Sequence, residues 1–255
     1  MKFDELDARM RVFETSLDQH IVPGIFVVVR LDGRSFTRLT KETSGFEAPF
    51  DVRFRDLMIH TTRHLMHCGF NVVFGYTQSD EISLLFPPAE TLFERKVRKI
   101  LSILAGEASA AFSLKLGAIG VFDARICQLP TGDLVADYFR WRSEDAGRNC
   151  LNSHCYWLLR KTGVSGSKAF QQLAGLSVRE KNEFLFRHDI NYNDLPSWQK
   201  RGTGLYWEEY RKKGFNPMTR QEVEATRRRL KVDLELPMKQ DFERLIRRLL
   251  KDHGC

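Results

Sequence analysis

Apolar residues along this chain form short β-type runs that alternate with longer stretches of helical periodicity. Residues 25–29, 72–76 and 82–86 are rich in β-branched and aromatic side chains and are too short for typical buried helices, so they predict buried strands. The last two are separated by residues 77–80, a connection short enough for an antiparallel hairpin. Helical spacing is found in three further stretches, at residues 4–17, 51–68 and 91–116.

The order of these elements predicts an α+β fold. A strand over residues 120–126 follows the helix that ends near 116, which completes the order strand, helix, hairpin, helix, strand. That order is typical of a ferredoxin-like, split β-α-β arrangement, in which an antiparallel sheet carries helices on one face. The second half is predicted to be mainly helical, at 133–145, 148–161, 177–187 and from 238 onward, with a β-hairpin formed by residues 205–210 and 222–234. The turn at 130–132 is the best boundary and divides the chain into an N-terminal domain, 1–130, and a mainly helical C-terminal region, 131–255.

Two of the predicted helices begin with a capping box, the pattern of Ser or Thr followed three residues later by Glu or Gln. Thr91 with Glu94 is one such pair, and Ser177 with Glu180 is the other. In a capping box the two side chains satisfy backbone N–H groups at the helix start. The pattern therefore predicts helix starts at Thr91 and Ser177.

Acidic residues follow two of the predicted strands. Asp32 ends the first strand, and Asp80 and Glu81 lie in the hairpin connection. If the first strand lies beside the hairpin, Asp32 and Asp80 meet at one edge of the sheet, where they repel each other unless a cation lies between them. A divalent metal is the usual solution, and paired carboxylates are the ligands of two-metal phosphoryl transfer. The pattern is common by chance, so it does not by itself identify an enzyme.

Charge and cysteine content narrow the class of protein. The 40 Lys and Arg residues exceed the 33 Asp and Glu residues and give a formal charge of +7, which suits a polyanionic partner. The five cysteines are an odd number without regular spacing, which favours reduced thiols and a cytoplasmic protein. The charged, amphipathic N-terminus has no apolar signal region, and no run approaches the roughly 18 apolar residues of a membrane span. We therefore expect a cytoplasmic protein without a membrane partner.

Several longer segments resemble one known family. The sequence RLDGRSF at 30–36 and FGYTQSDEIS at 74–83, with the stretches at 122–125, 141–142, 180–183 and 191–196, is similar to the tRNA(His) guanylyltransferase family. The resemblance covers residues 24–204 in order and at similar spacing. It implies a polymerase-type palm domain that adds nucleotides in the 3′-to-5′ direction to the 5′ end of tRNA. It also implies two Mg²⁺ ions, activation of the 5′-phosphate by ATP or GTP, nucleoside triphosphates as substrates, and a homotetramer.

The resemblance also suggests roles for individual residues. Asp32 would bind both metals, the Gly33 carbonyl and Asp80 would complete the protein ligands, and Glu81 would support the site. The nucleotide would be surrounded, mostly through backbone groups, by Arg34, Ser35, Phe36, Thr37 and Ser79, and its triphosphate would be contacted by Lys96 and Lys99. Lys181 and Asn182 match a further motif related to activity. An alternative for Lys96 and Lys99 is a solvated helix end, and for Lys181 a simple pair with a neighbouring carboxylate.

Two departures from the family pattern bear on the substrate. Gly147 stands where the eukaryotic enzymes carry a histidine that belongs with addition of the extra 5′ guanosine. This absence resembles the bacterial and archaeal branch and favours template-directed repair of 5′-truncated tRNAs, with tRNA(His) guanylylation as the alternative. A nucleotide cyclase and a non-catalytic RNA-binding protein are further alternatives. In addition, Ala48 replaces a lysine of some members, a phosphate contact that Lys41 could supply.

Two groups of basic residues remain. The run Arg227-Arg228-Arg229 is a candidate for tRNA contact, because neutralisation of phosphates provides much of the affinity for nucleic acids. His60, His64 and His67 share one face of a predicted helix and could bind a metal or a phosphate. Histidines on a solvated helix face usually do neither, and we prefer that interpretation.

Overall fold

The computed structural model describes residues 2–40, 45–216, 218 and 221–254. The helices in these ranges are α1 (Phe3–Thr15), α2 (Phe36–Arg38), α3 (Val52–Leu65), α4 (Val97–Leu116), α5 (Gly132–Lys161), α6 (Gly166–Leu173), α7 (Val178–Phe186), α8 (Ser197–Arg201) and α9 (Lys239–Asp252). The strands are β1 (Phe26–Gly33), β2 (Phe74–Gln78), β3 (Glu81–Phe86), β4 (Phe122–Leu129), β5 (Thr203–Asn216) and β6 (Gln221–Asp233). Single 3₁₀ turns lie at Leu92–Arg95 and Tyr192–Asp194.

The six strands form one antiparallel sheet in the order β4-β1-β3-β2-β5-β6. β3 lies between β1 and β2, as the split β-α-β arrangement requires, and β4 forms one edge. β2 pairs with β5 only from Thr203 to Tyr206, whereas β5 and β6 pair along their whole length. The outer part of the β5–β6 hairpin therefore extends beyond the four palm strands as a two-stranded arm.

Each face of the sheet is covered by a hydrophobic core. On one face α3 and α4 pack against alternate residues of β1 and β3, among them Val29, Leu31 and Leu84. On the other face α5 and α9 cover Val28, Leu85, two aromatic residues of β2, Phe74 and Tyr76, and Tyr206 of β5. Successive residues of a strand point to opposite faces, so strands buried on both faces appear in the sequence as continuous apolar runs. The predicted α+β fold is confirmed: the first half carries its helices on one face, and helices of the second half cover the other.

Two predicted helix boundaries are wrong. The helix expected from Thr91 begins at Val97, and Thr91 makes no side-chain cap hydrogen bond. Phe93, Glu94 and Arg95 have positive φ, because the chain turns Arg95 inward, where its guanidinium donates to the carbonyls of Ile25, Pro88 and Glu90. The capping box at Ser177 and Glu180 is confirmed.

The second boundary error concerns α5. Residues 133–145 and 148–161 form one helix of 30 residues instead of two. Gly147 lies inside this helix, where a Cβ atom would lie 3.3 Å from the Lys200 carbonyl oxygen. The glycine therefore permits α8 to pack closely on α5 and does not end the helix.

Candidate active site

Asp32 lies near the end of β1, between two other carboxylates in the sheet register. It pairs with Glu81 of β3 on one side and with Asp123 of β4 on the other. The β2–β3 connection is reduced to a two-residue turn, Ser79 and Asp80, and Ser79 has a left-handed backbone conformation. The Gly33 N–H donates to the Asp80 carbonyl oxygen at 3.0 Å. This hydrogen bond fixes the turn against the end of β1, so Asp32 and Asp80 lie at the same edge of the sheet, as the sequence predicts.

The carboxylate of Asp32 is surrounded by positive charge. Arg30 Nε donates to Asp32 Oδ2 at 3.1 Å, and Arg125 Nη2 lies 2.9 Å from the same oxygen. Burial raises the pKa of Asp80, and the negative charge of Asp32 raises it further. The two carboxylates are thus close enough to repel each other, and an additional cation between them would be stabilised.

Glu81 is held by a buried ion pair that the sequence did not predict. Arg142 of α5 donates from Nε to Glu81 Oε1 at 2.8 Å and from Nη2 to Glu81 Oε2 at 2.7 Å. Both residues are buried, and Arg142 also contacts Asp145 at 3.2 Å. Burial raises the pKa of Glu81, whereas the charge of Arg142 opposes that increase. This bidentate pair connects the β2–β3 turn to α5 and holds the buried Glu81 side chain in place.

The loop that follows Asp32 is shaped by one aromatic side chain. A Cβ atom on Gly33 would lie 2.4 Å from the Phe36 ring, so only glycine permits this approach. Phe36 is buried among other phenylalanine rings, including Phe112 at a centroid distance of 4.8 Å. Arg34, Ser35 and Thr37 are exposed, and Ser35 has positive φ. The side chain of Phe36 therefore anchors the loop in the core, and the exposed residues of the loop face solvent beside Asp32.

Two cavities adjoin the carboxylates. The first, of about 410 Å³, contains Asp32, Asp80, Glu81 and a polar stripe of α5, namely Asp145, Asn149, Asn152 and Ser153. The second, of about 110 Å³, is lined partly by aromatic residues, including Phe50, Trp157 and Trp198. Residues Pro49, Phe50, Gln78 and Ser79 line both cavities, so the second opens beside the β2–β3 turn. The arrangement offers a polar chamber for phosphates next to an aromatic chamber for a planar ring.

Lys96 and Lys99 lie far from the carboxylates within this chain. They stand at the start of α4, next to Arg95, whose guanidinium bonds the carbonyl of Ile25 just before β1 begins. Asp32 follows Ile25 by seven residues, so the strand between them is about 23 Å long, and the lysines lie at the opposite end of β1 from Asp32. Lys96 also lies 3.7 Å from a carboxylate oxygen of Asp18. One chain alone does not bring these lysines to Asp32.

The side chains of Lys181 and Asn182 face different cavities, although the two residues are adjacent in α7. Lys181 borders a cavity that shares Asn152 and Ser153 with the cavity of Asp32 and Asp80. Asn182 donates to the Val178 carbonyl at 2.9 Å and faces a separate cavity beside Tyr192. Lys181 thus adjoins the site, whereas Asn182 does not. Lys41 lies outside the described residues.

The basic run on β6 does not form one continuous patch. Arg227 and Arg229 share one face of the arm and Arg228 lies on the other, because side chains alternate along a strand. Arg229 lies 2.6 Å from a carboxylate oxygen of Glu208, and Arg228 stacks over the Trp207 ring.

The three histidines of α3 are partly engaged in structural contacts. His64 Nε2 lies 2.6 Å from Glu107 Oε2, and the His67 ring packs edge-to-face against Trp207. Burial lowers the pKa of His60. All three histidines are exposed, as expected of a solvated helix face, and His64 and His67 also contact other side chains of the protein.

The chemistry of the donor set fits magnesium. Carboxylate oxygens from Asp32 and Asp80 and the Gly33 carbonyl are hard ligands, and Mg²⁺ usually retains waters or substrate phosphates at its other positions. In the part of the chain that the structure describes, no group of three or more His, Cys, Asp or Glu side chains is placed to hold a metal. The predicted magnesium ligands include only two side chains, those of Asp32 and Asp80, together with a backbone carbonyl, so they do not form a group of three side chains.

Sequence reasoning did not assign roles to Arg30, Arg125 and Arg142. Each occurs in a segment that carried the family resemblance, but nothing local shows that its guanidinium meets an acidic residue. The contact of Arg30 with Asp32 could have been predicted, because residues two apart on a strand point to the same face of the sheet.

An antiparallel sheet of the polymerase-palm type, with acidic residues at the end of β1 and in the β2–β3 turn, is the arrangement expected of an enzyme that transfers phosphoryl or nucleotidyl groups. Comparisons with known proteins identify the family. The family model described as tRNAHis guanylyltransferase matches residues 7–130, and that described as Thg1 C terminal domain matches residues 133–242. The chain belongs to the tRNA(His) guanylyltransferase family.

Individual relatives agree with this membership. A tRNA(His) guanylyltransferase of Debaryomyces hansenii is 32% identical over 232 residues, which are 86% of this chain and 87% of the relative. A bacterial tRNA(His) guanylyltransferase (Thg1)-like protein, solved in complex with ATP, has a TM-score of 0.77 at 28% identity and covers 96% of this chain and 99% of its own. The structure of such a protein in complex with GTP has a TM-score of 0.73 at the same identity and coverage.

Among the described residues, no helix is long and apolar enough to cross a membrane.

Proposed function

We propose that this enzyme adds a nucleotide to the 5′ end of tRNA in a Mg²⁺-dependent reaction, with tRNA(His) as the substrate and guanosine as the added nucleotide. The observation that carries the proposal is the position of Asp32 and Asp80 at one edge of a palm sheet. The choice of tRNA(His) and guanosine is supported by the names of the curated relatives. Nucleoside triphosphates as substrates are supported by the GTP and ATP complexes of the bacterial relatives.

The residues of the site would have different roles in the reaction. Asp32, Asp80 and the Gly33 carbonyl would hold two Mg²⁺ ions. When bound, these ions would lower the pKa of the 3′-hydroxyl of the incoming nucleotide, which attacks the activated 5′-phosphate of the tRNA, and would stabilise the nucleoside monophosphate that leaves. Arg30 and Arg125 neutralise Asp32 and present guanidinium groups suited to phosphate oxygens. Arg142 keeps Glu81 paired, which fixes the strand immediately after Asp80. The aromatic cavity beside Ser79 would accept the nucleobase.

Template-directed repair of 5′-truncated tRNAs is a second candidate function, favoured by Gly147. The Gly147 carbonyl accepts a hydrogen bond from the Tyr192 hydroxyl at 2.9 Å, and a Cβ atom at this position would crowd Lys200. A histidine side chain would therefore require α8 to move. The family resemblance associates a histidine at this position with addition of the extra guanosine. The close packing around Gly147 leaves no room for that side chain without such a movement and therefore favours the repair function.

One assay separates the two functions. The enzyme is incubated with Mg²⁺, all four nucleoside triphosphates, and radiolabelled tRNAs of several identities, either lacking the 5′ nucleotide or complete. Guanosine added to complete tRNA(His) alone supports guanylylation, whereas templated addition to truncated tRNAs of any identity supports repair. A cyclic nucleotide formed without RNA, or binding of RNA without any addition, would contradict both.

We also propose that the chain assembles as a homotetramer. Within Phe3–Thr15, no side chain is buried, and Phe3, Met10 and Phe13 leave an apolar stripe of α1 uncovered. Lys96 and Lys99 lie at the opposite end of β1 from Asp32, so a second copy of the chain could bring them to a triphosphate there. Sedimentation velocity should give the mass of four chains, and a monomer at micromolar concentration would contradict the proposal.

The arginines of β6 are proposed to contact tRNA phosphates. Replacement of Arg227 and Arg229, on one face of the arm, by Ala should reduce the salt slope of tRNA binding by about one per lost phosphate contact. Arg229 is partly engaged by Glu208, so Arg227→Ala should give the larger change. Binding is measured by filter retention between low and moderate salt, with Arg187→Ala at the end of α7, an exposed arginine paired with Glu183, as the control. An unchanged slope would remove this face from the interface.

A further inference from the structure

A third cavity continues the catalytic chamber along α5. It measures about 450 Å³ and shares Asn152 and Ser153 with the chamber that holds Asp32 and Asp80. Asp145, Asn149, Asn152 and Tyr156 recur at spacings of three and four residues, so they lie on one stripe of the helix. From Asp145 to Tyr156 this stripe runs about 16 Å. A polar track thus leads from the carboxylates to the third cavity.

The walls of this cavity combine aromatic surface with one cation. Its principal lining residues are Asn152, Ser153, Tyr156, Trp157, Phe170 and Lys181. Tyr156 and Trp157 are perpendicular, with ring centroids 5.5 Å apart. Gly166 at the start of α6 brings that helix close, since a Cβ atom there would lie 3.0 Å from the Tyr156 hydroxyl. α6 buries Ala169 and leaves Phe170 exposed by 73% on the cavity side.

Aromatic faces beside a basic group are the usual composition of sites that bind single-stranded nucleic acid. Every nucleobase has a π-face that stacks on such rings, while a lysine neutralises the adjacent phosphate. The volume lies within the range typical of small-molecule sites. A single exposed phenylalanine on a protein surface needs no explanation, but here it adjoins two further aromatic residues and a cavity continuous with the active site.

We propose that the cavity of Tyr156, Phe170 and Lys181 stacks a nucleobase from the unpaired 3′ end of the tRNA acceptor stem while the 5′ end is at Asp32. This inference rests on the proposed action on the 5′ end of tRNA and adds a binding site for the opposite strand. In an acceptor stem the unpaired 3′ nucleotides begin beside the 5′ end, so a strand that leaves the catalytic chamber along α5 meets this cavity first.

The openness of the cavity favours a nucleotide of the RNA over a free nucleoside triphosphate. Asn152, Phe170, Ala174 and Gly175 are exposed, so a polymer can enter and leave along this side. Lys181 is the one cationic side chain among the lining residues that the structure describes, and it suits a single phosphodiester. A triphosphate is usually met by several cationic groups or a metal.

The test compares two RNAs and two matched variants. Phe170→Ala removes the exposed ring of the cavity, and Phe186→Ala removes a similarly exposed ring on α7 that does not line it. Dissociation constants are measured for intact tRNA and for the same tRNA trimmed of its unpaired 3′ nucleotides, and KM values are measured for tRNA and for GTP. We expect Phe170→Ala to weaken binding of intact tRNA about tenfold, with no change for trimmed tRNA or in the KM for GTP. Phe186→Ala should behave as the wild type.

Each contrary result has a distinct meaning. Equal losses on intact and trimmed tRNA, or no loss on either, would overturn the stacking site. A rise in the KM for GTP alone would assign the cavity to the nucleoside triphosphate and also overturn the proposal. If the wild-type enzyme adds no nucleotide to any tRNA, the proposed function fails whatever the binding measurements give. If it adds nucleotides and Phe170→Ala binds intact tRNA normally, only the stacking site fails.

Discussion

Asp32→Ala and Asp80→Ala are each expected to lower the rate of nucleotide addition by about a thousandfold or more. Each removes a carboxylate from the pair at the end of β1 and in the β2–β3 turn. A metal that stabilises the charge of phosphoryl transfer contributes several kcal/mol, and each 1.36 kcal/mol corresponds to a tenfold change in rate. Single-turnover incorporation of labelled guanosine into tRNA measures the loss.

Binding of tRNA is the control for this prediction. Neither aspartate offers a positive charge to a phosphate, so the dissociation constant for tRNA should remain within a few-fold of the wild-type value. Asp137→Ala, which removes an exposed carboxylate on α5, should leave both the rate and the affinity unchanged. Substantial activity in Asp32→Ala or Asp80→Ala would refute the assignment of these residues as metal ligands.

The meeting of Asp32 and Asp80 was predictable because its determinants are local. A strand that ends at Asp32 and a hairpin with a short turn need only lie side by side for the two carboxylates to meet, and the Gly33–Asp80 hydrogen bond spans that contact. The continuous apolar runs identified the strands, since both faces of β1 and β3 are buried. The apolar runs and the short turn thus predicted the antiparallel sheet together with the acidic residues at the end of its strands, whereas the palm assignment came from the family resemblance.

The position of Lys96 and Lys99 shows that a sequence motif does not reveal where its residues lie in the folded chain. β3 runs from Glu81, beside the catalytic turn, to Phe86, so the chain that leaves it begins α4 at the far end of the sheet. The family resemblance gave the two lysines a role at the triphosphate without giving their location. The order and direction of the elements place them at the opposite end of β1 from Asp32, a strand length of about 23 Å.

The contact of Glu81 with Arg142 could not be read from the sequence, because 61 positions separate the two residues. Their meeting depends on how α5 crosses the second face of the sheet, where Val135, Ala136 and Phe139 pack on the apolar residues of β1, β2 and β3. Local pattern rules describe single elements and their immediate neighbours. A buried ion pair between distant elements is a property of the whole packing.

Arg142→Met is expected to lower the free energy of unfolding by about 3 kcal/mol, since it breaks the bidentate buried pair and leaves Glu81 with only the more distant Arg30, at 3.9 Å, as a cationic neighbour. Methionine fills a similar volume, so the loss arises mainly from the unpaired charge. Arg148→Met is the matched control on the same helix. The Arg148 guanidinium lies 3.2 Å from a carboxylate oxygen of Asp145, but its side chain is 73% exposed. An exposed pair of this kind contributes at most about 1 kcal/mol. Midpoints of urea denaturation measure both changes.

A double variant isolates the charge of Glu81 as the cause. Glu81→Gln in the Arg142→Met background replaces the unpaired carboxylate by a neutral amide, so we expect it to recover a large part of the lost stability. Arg142 also contacts Asp145, and this part of the loss should remain. If Arg142→Met destabilises the protein no more than Arg148→Met, the ion pair does not fix the catalytic turn. If the double variant is no more stable than Arg142→Met alone, the loss comes from packing and not from an uncompensated charge beside Asp80.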